Sequence, residues 1–312
     1  MAAPMIWDKF FDESTIPVDL QQKSKDIELF VNKLQKDDRK IVLLSSGGTT
    51  VPLESRTVRF VDNFSVGTRG ATSAEYFLRE GYAVIFLHRL RSLQPFARHF
   101  NPASLLNSLE VNETTGKLEV QESKAGKLKK LFLEHQKAQE QNLLLQVSFT
   151  TVGEYLYLLR AAASVLQTIG SRAMFYLAAA VSDFYIPADQ MPEHKIQSAD
   201  GPLQISLHLV PKMLKPLVSE WAPAAFVVSF KLETDPALLI KKAKKALETY
   251  SHQVVVANIL ETRKREVVMV TKTTEDQIKL TDKELQSGIE IEKHIVSGII
   301  HRHREFQQQG CS

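Results

Sequence analysis

The segment Asn63–Phe77, NFSVGTRGATSAEYF, joins a loop of small residues to the start of a helical pattern. Ser65, Gly67 and Gly70 occupy the three glycine positions of a G-x-G-x-x-G turn. Unpaired backbone N–H groups at such a helix start, with the positive end of the helix dipole, favour phosphate. A second loop, Ser46-Gly47-Gly48-Thr49-Thr50, directly follows the apolar run KIVLLSS. Its paired glycines permit a tight turn whose N–H groups can face an anionic oxygen. Either loop alone is equally an ordinary turn or helix cap, but the two so close together point to a nucleotide. Two features oppose a nicotinamide cofactor. Ser65 replaces the first glycine and no strand abuts the turn, and the second strand ends in His88-Arg89, where Asp or Glu would be needed for the ribose. Arg89 would suit a 2′-phosphate, so an NADP reductase stays open.

Other residues have the right chemistry for a polar substrate. Ala178-Ala179-Ala180 ends an apolar run, where small side chains let a ligand lie against the backbone, and Asp183 just beyond can accept hydrogen bonds. Close helix–sheet packing explains the alanines equally well. Asn63 carries an amide that both donates and accepts, yet is also a common turn residue. Arg59 can reach an anion or pair with Asp62. Lys195, on a polar loop past Asp183, can neutralise charge that builds during reaction, as can Lys231 at the end of a buried strand. The plain alternatives are a surface lysine for Lys195 and a salt bridge to Glu233 for Lys231. No His, Cys and carboxylate set stands at metal-ligand spacing, so no metal-binding residues are assigned, and neither a G-x-S-x-G elbow nor a Walker A lysine is present.

The elements that must position these residues alternate. Residues 1–40 are predicted as a helical lead-in with Ile27, Phe30, Val31 and Leu34 on one face. Buried-type strands are expected at 40–46, 82–89, 143–150, 173–183, 226–230 and 253–259, with helices at 71–81, 152–169 and 236–250. This predicts an α/β fold, a mostly parallel sheet with helices on both faces. Residues 100–142 form an insertion, helical near 126–142, and 184–210 an excursion containing the alternating LQISLHLV (203–210). A hairpin is expected within 266–282, a closing helix over 284–303 and a polar tail at 308–312. Ligands sit outside the carboxyl ends of strands in such sheets, which gathers SSGGTT, the Asn63 loop, the end of AAAVSDF, SFKLET and VVVANIL into one candidate site.

Composition narrows the partners. A net charge of +3 with no dense Lys/Arg face argues against nucleic acid. No apolar run approaches the ~20 residues of a spanning helix, and the N-terminus MAAPMIWDKFFDEST lacks a signal-peptide pattern. The single cysteine, Cys311, has no internal partner and reads as a solvated tail thiol, so no membrane partner and a cytoplasmic location are expected.

Together SSGGTTVPLE, RTVRFVDNFSVGTRGATSAEYF, YLAAAVSDFY, EHKIQS, VVSFKLETD and VVVANIL, spanning roughly 40–272, closely resemble the phosphopantothenoylcysteine synthetase family of eukaryotic type. The resemblance implies a Rossmann-like ligase domain over 41–307, with a flap and dimerisation excursion at 184–210, and a cytoplasmic homodimer. It implies a coenzyme A pathway ligase that joins 4′-phosphopantothenate to L-cysteine. ATP is its co-substrate with Mg²⁺, cleaved to AMP and pyrophosphate through an acyl-adenylate. By resemblance Gly47, Ser65, Gly67 and Gly70 hold the nucleotide, with Phe230 and Asn258 around base and ribose. Asn63, Ala179, Ala180 and Asp183 hold phosphopantothenate, and Arg59 reaches the substrate phosphate in the neighbouring subunit. Lys195 matches the first lysine of the family's mobile flap and, with Asn63 and Lys231, forms the catalytic set. The sequence departs from the family pattern at Val66, where a second serine is usual, and at Ile196-Gln197-Ser198, where the bacterial flap has further lysines. Two other readings remain: the NADP reductase, and a nucleotide-sensing dimer that has kept the cleft and lost the chemistry.

Overall fold

The computed structural model describes residues 6–100, 105–198 and 201–309; Cys311 and most of the polar tail lie outside them. In chain order the strands are β1 (Ile41–Ser46), β2 (Thr50–Pro52), β3 (Phe60–Asp62), β4 (Ala83–Arg89), β5 (Leu109–Val111), β6 (Leu118–Val120), β7 (Leu144–Phe149), β8 (Ala173–Leu177), β9 (Phe184–Tyr185), β10 (His208–Leu209), β11 (Phe226–Glu233), β12 (Val254–Ile259), β13 (Glu266–Val270) and β14 (Glu275–Lys279).

Continuous apolar runs become the middle of the sheet. IVLLSS of β1 is buried at all six positions, as a parallel strand covered on both faces must be. The central sheet has eight strands in the order β14-β13-β12-β11-β8-β1-β4-β7. Its first six strands along the chain are parallel and lie 3-2-1-4-5-6 in space, with β13 and β14 added antiparallel. The order reverses between β1 and β8. Right-handed crossovers therefore place helices before and after that point on opposite faces. On one face the helix Thr68–Arg79 packs on β1, β4 and the closing helix Ile291–Gln309, whereas Leu20–Gln35 packs on Val152–Leu166.

The predicted stripe Ile27, Phe30, Val31 and Leu34 is the buried face of Leu20–Gln35. The lead-in is part of the main core: Phe10 and Phe11, on the helix Ile6–Glu13, meet Tyr185 and Tyr157 edge-on at 4.8 and 4.9 Å. No helix among the described residues is long and apolar enough to cross a membrane.

Several boundaries differ from expectation. The fourth strand ends at Leu177, so the three alanines lie beyond it, and the fifth runs on to Glu233. LQISLHLV forms only the two-residue β10, paired with β9. Proline at 187 closes off the partner strand because it has no N–H to offer. The inserted helix is longer than expected, Glu122–Glu140, and a small β5–β6 ribbon precedes it. The closing helix is two. Asp282–Gln286, with a Thr281–Glu284 capping box, stops at Gly288 (φ 69°). There Gly288 N–H donates to Leu285 and Ile289 N–H to Glu284, the pairing of a Schellman stop.

Candidate active site

The gap between β1 and its helix is a hairpin. β2 and β3 pair antiparallel, Thr50 opposite Asp62 and Pro52 opposite Phe60, and return the chain to the mouth of β1. Asn63 N–H then donates to Thr49 O at 3.1 Å, laying the Asn63 loop across the glycine turn. Gly48 is needed there, because a Cβ on it would stand 1.6 Å from the Asn63 carbonyl oxygen. On its other side Gly48 bridges Ala180 in parallel, with Ala180 N–H to Gly47 O at 2.8 Å and Thr49 N–H to Ala180 O at 3.0 Å. The ends of β1 and β8 are thus continued past the strands by loop pairing, at the point where strand order reverses. Nucleotides bind at this point in doubly wound sheets.

The helix Thr68–Arg79 starts beside the same turn. Gly67 is its N-cap with φ 85°, and no side chain caps the first turn, so its leading N–H groups stay open to an anion. Gly70 packs so tightly on β1 that a Cβ would meet Ser46 Oγ at 2.3 Å, and Ser46 Oγ donates to Gly67 O at 3.1 Å. The third glycine position is fixed by helix–strand contact, the second by backbone conformation. Val66 is exposed, and its carbonyl accepts from Leu93 N–H at 2.9 Å. The departure from the family loop therefore removes a hydroxyl and leaves the turn's backbone intact.

Phe230 closes the adjoining side. Tyr176 meets it edge-on at 4.9 Å, and the Arg69 guanidinium, on the first turn of the same helix, lies 6.0 Å from its ring centre. Arg69 is held there by Glu292 at 3.1 Å and by Arg263 O at 2.6 Å. Asn258 is buried and donates to Lys231 O at 3.0 Å. An open cavity of ≈ 260 Å³ brings Ala179, Asp183 and Phe230 together with Tyr155, Lys212 and Tyr250. Burial pushes the Tyr155 hydroxyl up to about 12, so it stays protonated.

Most of the predicted residues thus gather at the carboxyl ends of β1, β8, β11 and β12, three of them (Ala179, Asp183 and Phe230) on the cavity wall, while Lys195 and Arg59 stand apart. Gly47, Asn63, Ser65, Gly67, Gly70, Ala179 and Ala180 belong to the β1–β8 junction; Phe230, Lys231 and Asn258 lie on the neighbouring strand ends; Asp183 is on the cavity wall. Lys195 is exposed, does not line the cavity, and its ammonium has no hydrogen bond or ion pair among the described residues. Arg59 turns to its own chain, with Nη2 donating to Ile196 O at 3.0 Å. Lys231 pairs with Glu233 at 3.4 Å, the plain alternative weighed for it. Arg89 is committed to Asp62 at 2.5 Å, which leaves the NADP reading without its arginine. Sequence reasoning missed Lys212, which pairs with Asp183. Its only signal is position, at the end of the excursion that returns beside Asp183. Among the described residues no group of three or more His, Cys, Asp or Glu could hold a metal ion.

The family model described as the DNA/pantothenate metabolism flavoprotein C-terminal domain matches residues 152–302. The Homo sapiens phosphopantothenate–cysteine ligase is 52% identical, over 89% of this chain and 90% of its own length. The chain belongs to the phosphopantothenate–cysteine ligase family. The Saccharomyces cerevisiae ligase CAB2 is 41% identical over 96% of this chain and 86% of its own. A solved Cab2 mutant in complex with phosphopantothenate-cysteine superposes with TM-score 0.88 at 41% identity, covering 98% of this chain and all of that one. The ligase family's fold therefore extends over nearly the whole chain, helical lead-in included.

Proposed function

We propose that this ligase forms the amide between 4′-phosphopantothenate and L-cysteine in coenzyme A biosynthesis, cleaving ATP to AMP and pyrophosphate. The observation that carries the reading, in a chain of this family, is the meeting of an uncapped helix start with the Gly48–Asn63–Ala180 junction where strand order reverses. In the first step a substrate carboxylate oxygen attacks the α-phosphorus and pyrophosphate leaves. In the second the cysteine amine attacks the acyl carbon, AMP leaves with the C–O bond electrons, and the amine proton passes to solvent.

Both steps build negative charge in a fixed place, so the protein's task is positioning and charge stabilisation. The open N–H groups beyond Gly67 receive phosphate oxygens. Gly47, Ser65 and Gly70 set the turn that holds those groups in place, while Phe230 and Asn258 border base and ribose. The small Ala179 and Ala180 let the acyl chain lie against the backbone, with Asp183 accepting its polar hydrogens. Asn63, whose side-chain amide makes no hydrogen bond among the described residues, is free to meet the reacting carboxyl. Lys195 and Lys231 supply cations, and Lys212 is a third beside Asp183. Mg²⁺ would come with the triphosphate, held largely by its oxygens and water, and would supply charge neutralisation there.

In this reading the enzyme is a homodimer in which Arg59 presents its remaining guanidinium donors to the partner's substrate phosphate. The exposed Phe60, Val61, Phe64 and Leu209 offer apolar surface for such a contact. We place it in the cytoplasm, where the cysteine it consumes stays a thiol.

The test is pyrophosphate release with 4′-phosphopantothenate, cysteine and either ATP or CTP. We expect release that needs phosphopantothenate, AMP-forming turnover that also needs cysteine, and faster turnover with ATP. No pyrophosphate with all three substrates present would refute the reading.

A further inference from the structure

The tip of the β2–β3 hairpin holds a carboxylate that the reaction above does not use. Glu54 has no solvent exposure, an expensive place for a charge unless it is fully bonded. It accepts from Val58 N–H at 3.3 Å and Arg59 N–H at 3.0 Å, within its own hairpin, and lies 3.5 Å from Arg59 Nη1. It also accepts from Ile196 N–H at 3.4 Å, on a segment 142 residues away in the chain. Burial alone would raise this carboxyl; the donated N–H groups and Arg59 outweigh it and hold the group below its ordinary value.

The segment it reaches is the one that carries Lys195. Glu54 takes the N–H of the Ile196 peptide while Arg59 donates to its C=O, so the pair grips both polar groups of the residue after Lys195. Two backbone bonds extend the seam, Ser55 N–H to Pro192 O at 2.9 Å and Arg56 N–H to Glu193 O at 3.1 Å. Arg56 also meets the Glu193 carboxylate at 3.2 Å. The same hairpin leads through β3 into Asn63 and the glycine turn. An apolar side chain would fill the hairpin tip with no charge to satisfy. A carboxylate does something more: it fixes the distance between two chain segments that share no secondary structure.

We propose that Glu54 is a positioning residue of the ligase site, fastening the Lys195 strap to the hairpin that delivers Arg59 and Asn63. The inference rests on the reading of Lys195 as a catalytic cation. It makes the strap a preset part of the site, held by a buried charge, with the Lys195 ammonium left free to reach substrate.

The experiment compares wild type, Glu54→Gln, Lys195→Ala and the double variant. Trypsin cleavage of the Lys195–Ile196 bond, followed by mass spectrometry, reports the strap without reference to activity. We expect Glu54→Gln to speed that cleavage by about tenfold. Its kcat should fall by about 100-fold with the KM for ATP kept, since misplacement of a catalytic group by about 1 Å has that effect. In the Lys195→Ala background Glu54→Gln should remove little more, because both changes act through one group. Unchanged cleavage, a wild-type kcat, or losses that simply add would each overturn the proposal. If Lys195→Ala alone keeps wild-type turnover, the role given to Lys195 fails, while the cleavage rate still decides whether Glu54 holds the strap. Should Glu54→Gln not fold, Ile196→Pro removes the strap's N–H and leaves the carboxylate in place. The same loss of kcat then supports the proposal, and an unchanged kcat overturns it.

Discussion

Gly48 leaves no space for a side chain: the Asn63 carbonyl oxygen occupies the place of its Cβ. Gly48→Ala must push the Asn63 loop off the glycine turn, and overpacking of this kind costs roughly 1–3 kcal/mol. We expect a lower melting temperature together with lost ligation, because the displaced backbone carries the site. Asn63→Ala tests the opposite case. Its side-chain amide supports nothing else among the described residues, so melting should stay as in wild type. Amide formation should fall by about 100- to 1,000-fold, the usual effect of removing one stabilising donor from a reaction centre. A variant with wild-type turnover would take Asn63 out of the catalytic set. The glycine turn and helix start were visible in the sequence because each demands particular residue types at fixed spacing. Glu54 and Lys212 were not, since their meaning depends on partners at Ile196 and Asp183 that no local pattern reveals.

At the scale of elements, the helix Thr68–Arg79 owes its alignment to Glu75. This carboxylate is unexposed, accepts from Phe96 N–H at 2.8 Å, and binds Arg98 at 2.7 Å and His99 at 3.0 Å. Burial alone would raise it, but His99 and Arg98 bring it down to about 2, and Arg98 continues to Glu290 at 2.6 Å. One ion network thus ties this helix to the segment after β4 and to the start of the closing helix. Glu75→Ala leaves Arg98 and His99 without their buried partner. We expect a loss of about 3–5 kcal/mol in denaturant unfolding, the range for breaking a buried pair. A fall in ATP affinity should accompany it as the helix start shifts. A variant as stable as wild type would show the network to be dispensable. Periodicity located this helix within a few residues, yet could not show what anchors it. The partners of Glu75 come from 96–99 and 290, and charge spacing along one element says nothing about another.

For the whole molecule, buried histidines contribute to the response to acid alongside the paired carboxylates, and His252 and His303 are the most strongly shifted of them. His252 and His303 are both brought down from 6.5 to about 4 by burial. His303 sits between Tyr82 Oη at 2.8 Å and Ser171 O at 2.8 Å, joining the closing helix to the sheet. A base whose folded pKa lies below its unfolded value binds protons more readily when unfolded. Stability from this source is therefore complete above pH 6.5 and drains away as pH falls towards 4, by up to about 3 kcal/mol per histidine. Melting measured from pH 7.5 to 4 should show that decline, and His303→Gln should make it shallower. An unchanged slope in the variant would mean that other groups govern acid unfolding.

The sequence by itself determined the strand and helix alternation, the buried stripe of the second helix and the resemblance that names the family. These follow from local periodicity, from glycine's conformational freedom and from residue types at short spacing. Only the tertiary structure decided that strand order reverses at β1 and β8, that Asn63 lies against Gly48, and that Arg59 turns to Ile196. It also decided that Ala178–Ala180 leave the strand and that Ala180 pairs with the glycine loop. Each of these joins segments far apart in the chain, and the energy that selects them comes from burial and hydrogen bonds formed only once the sheet is assembled.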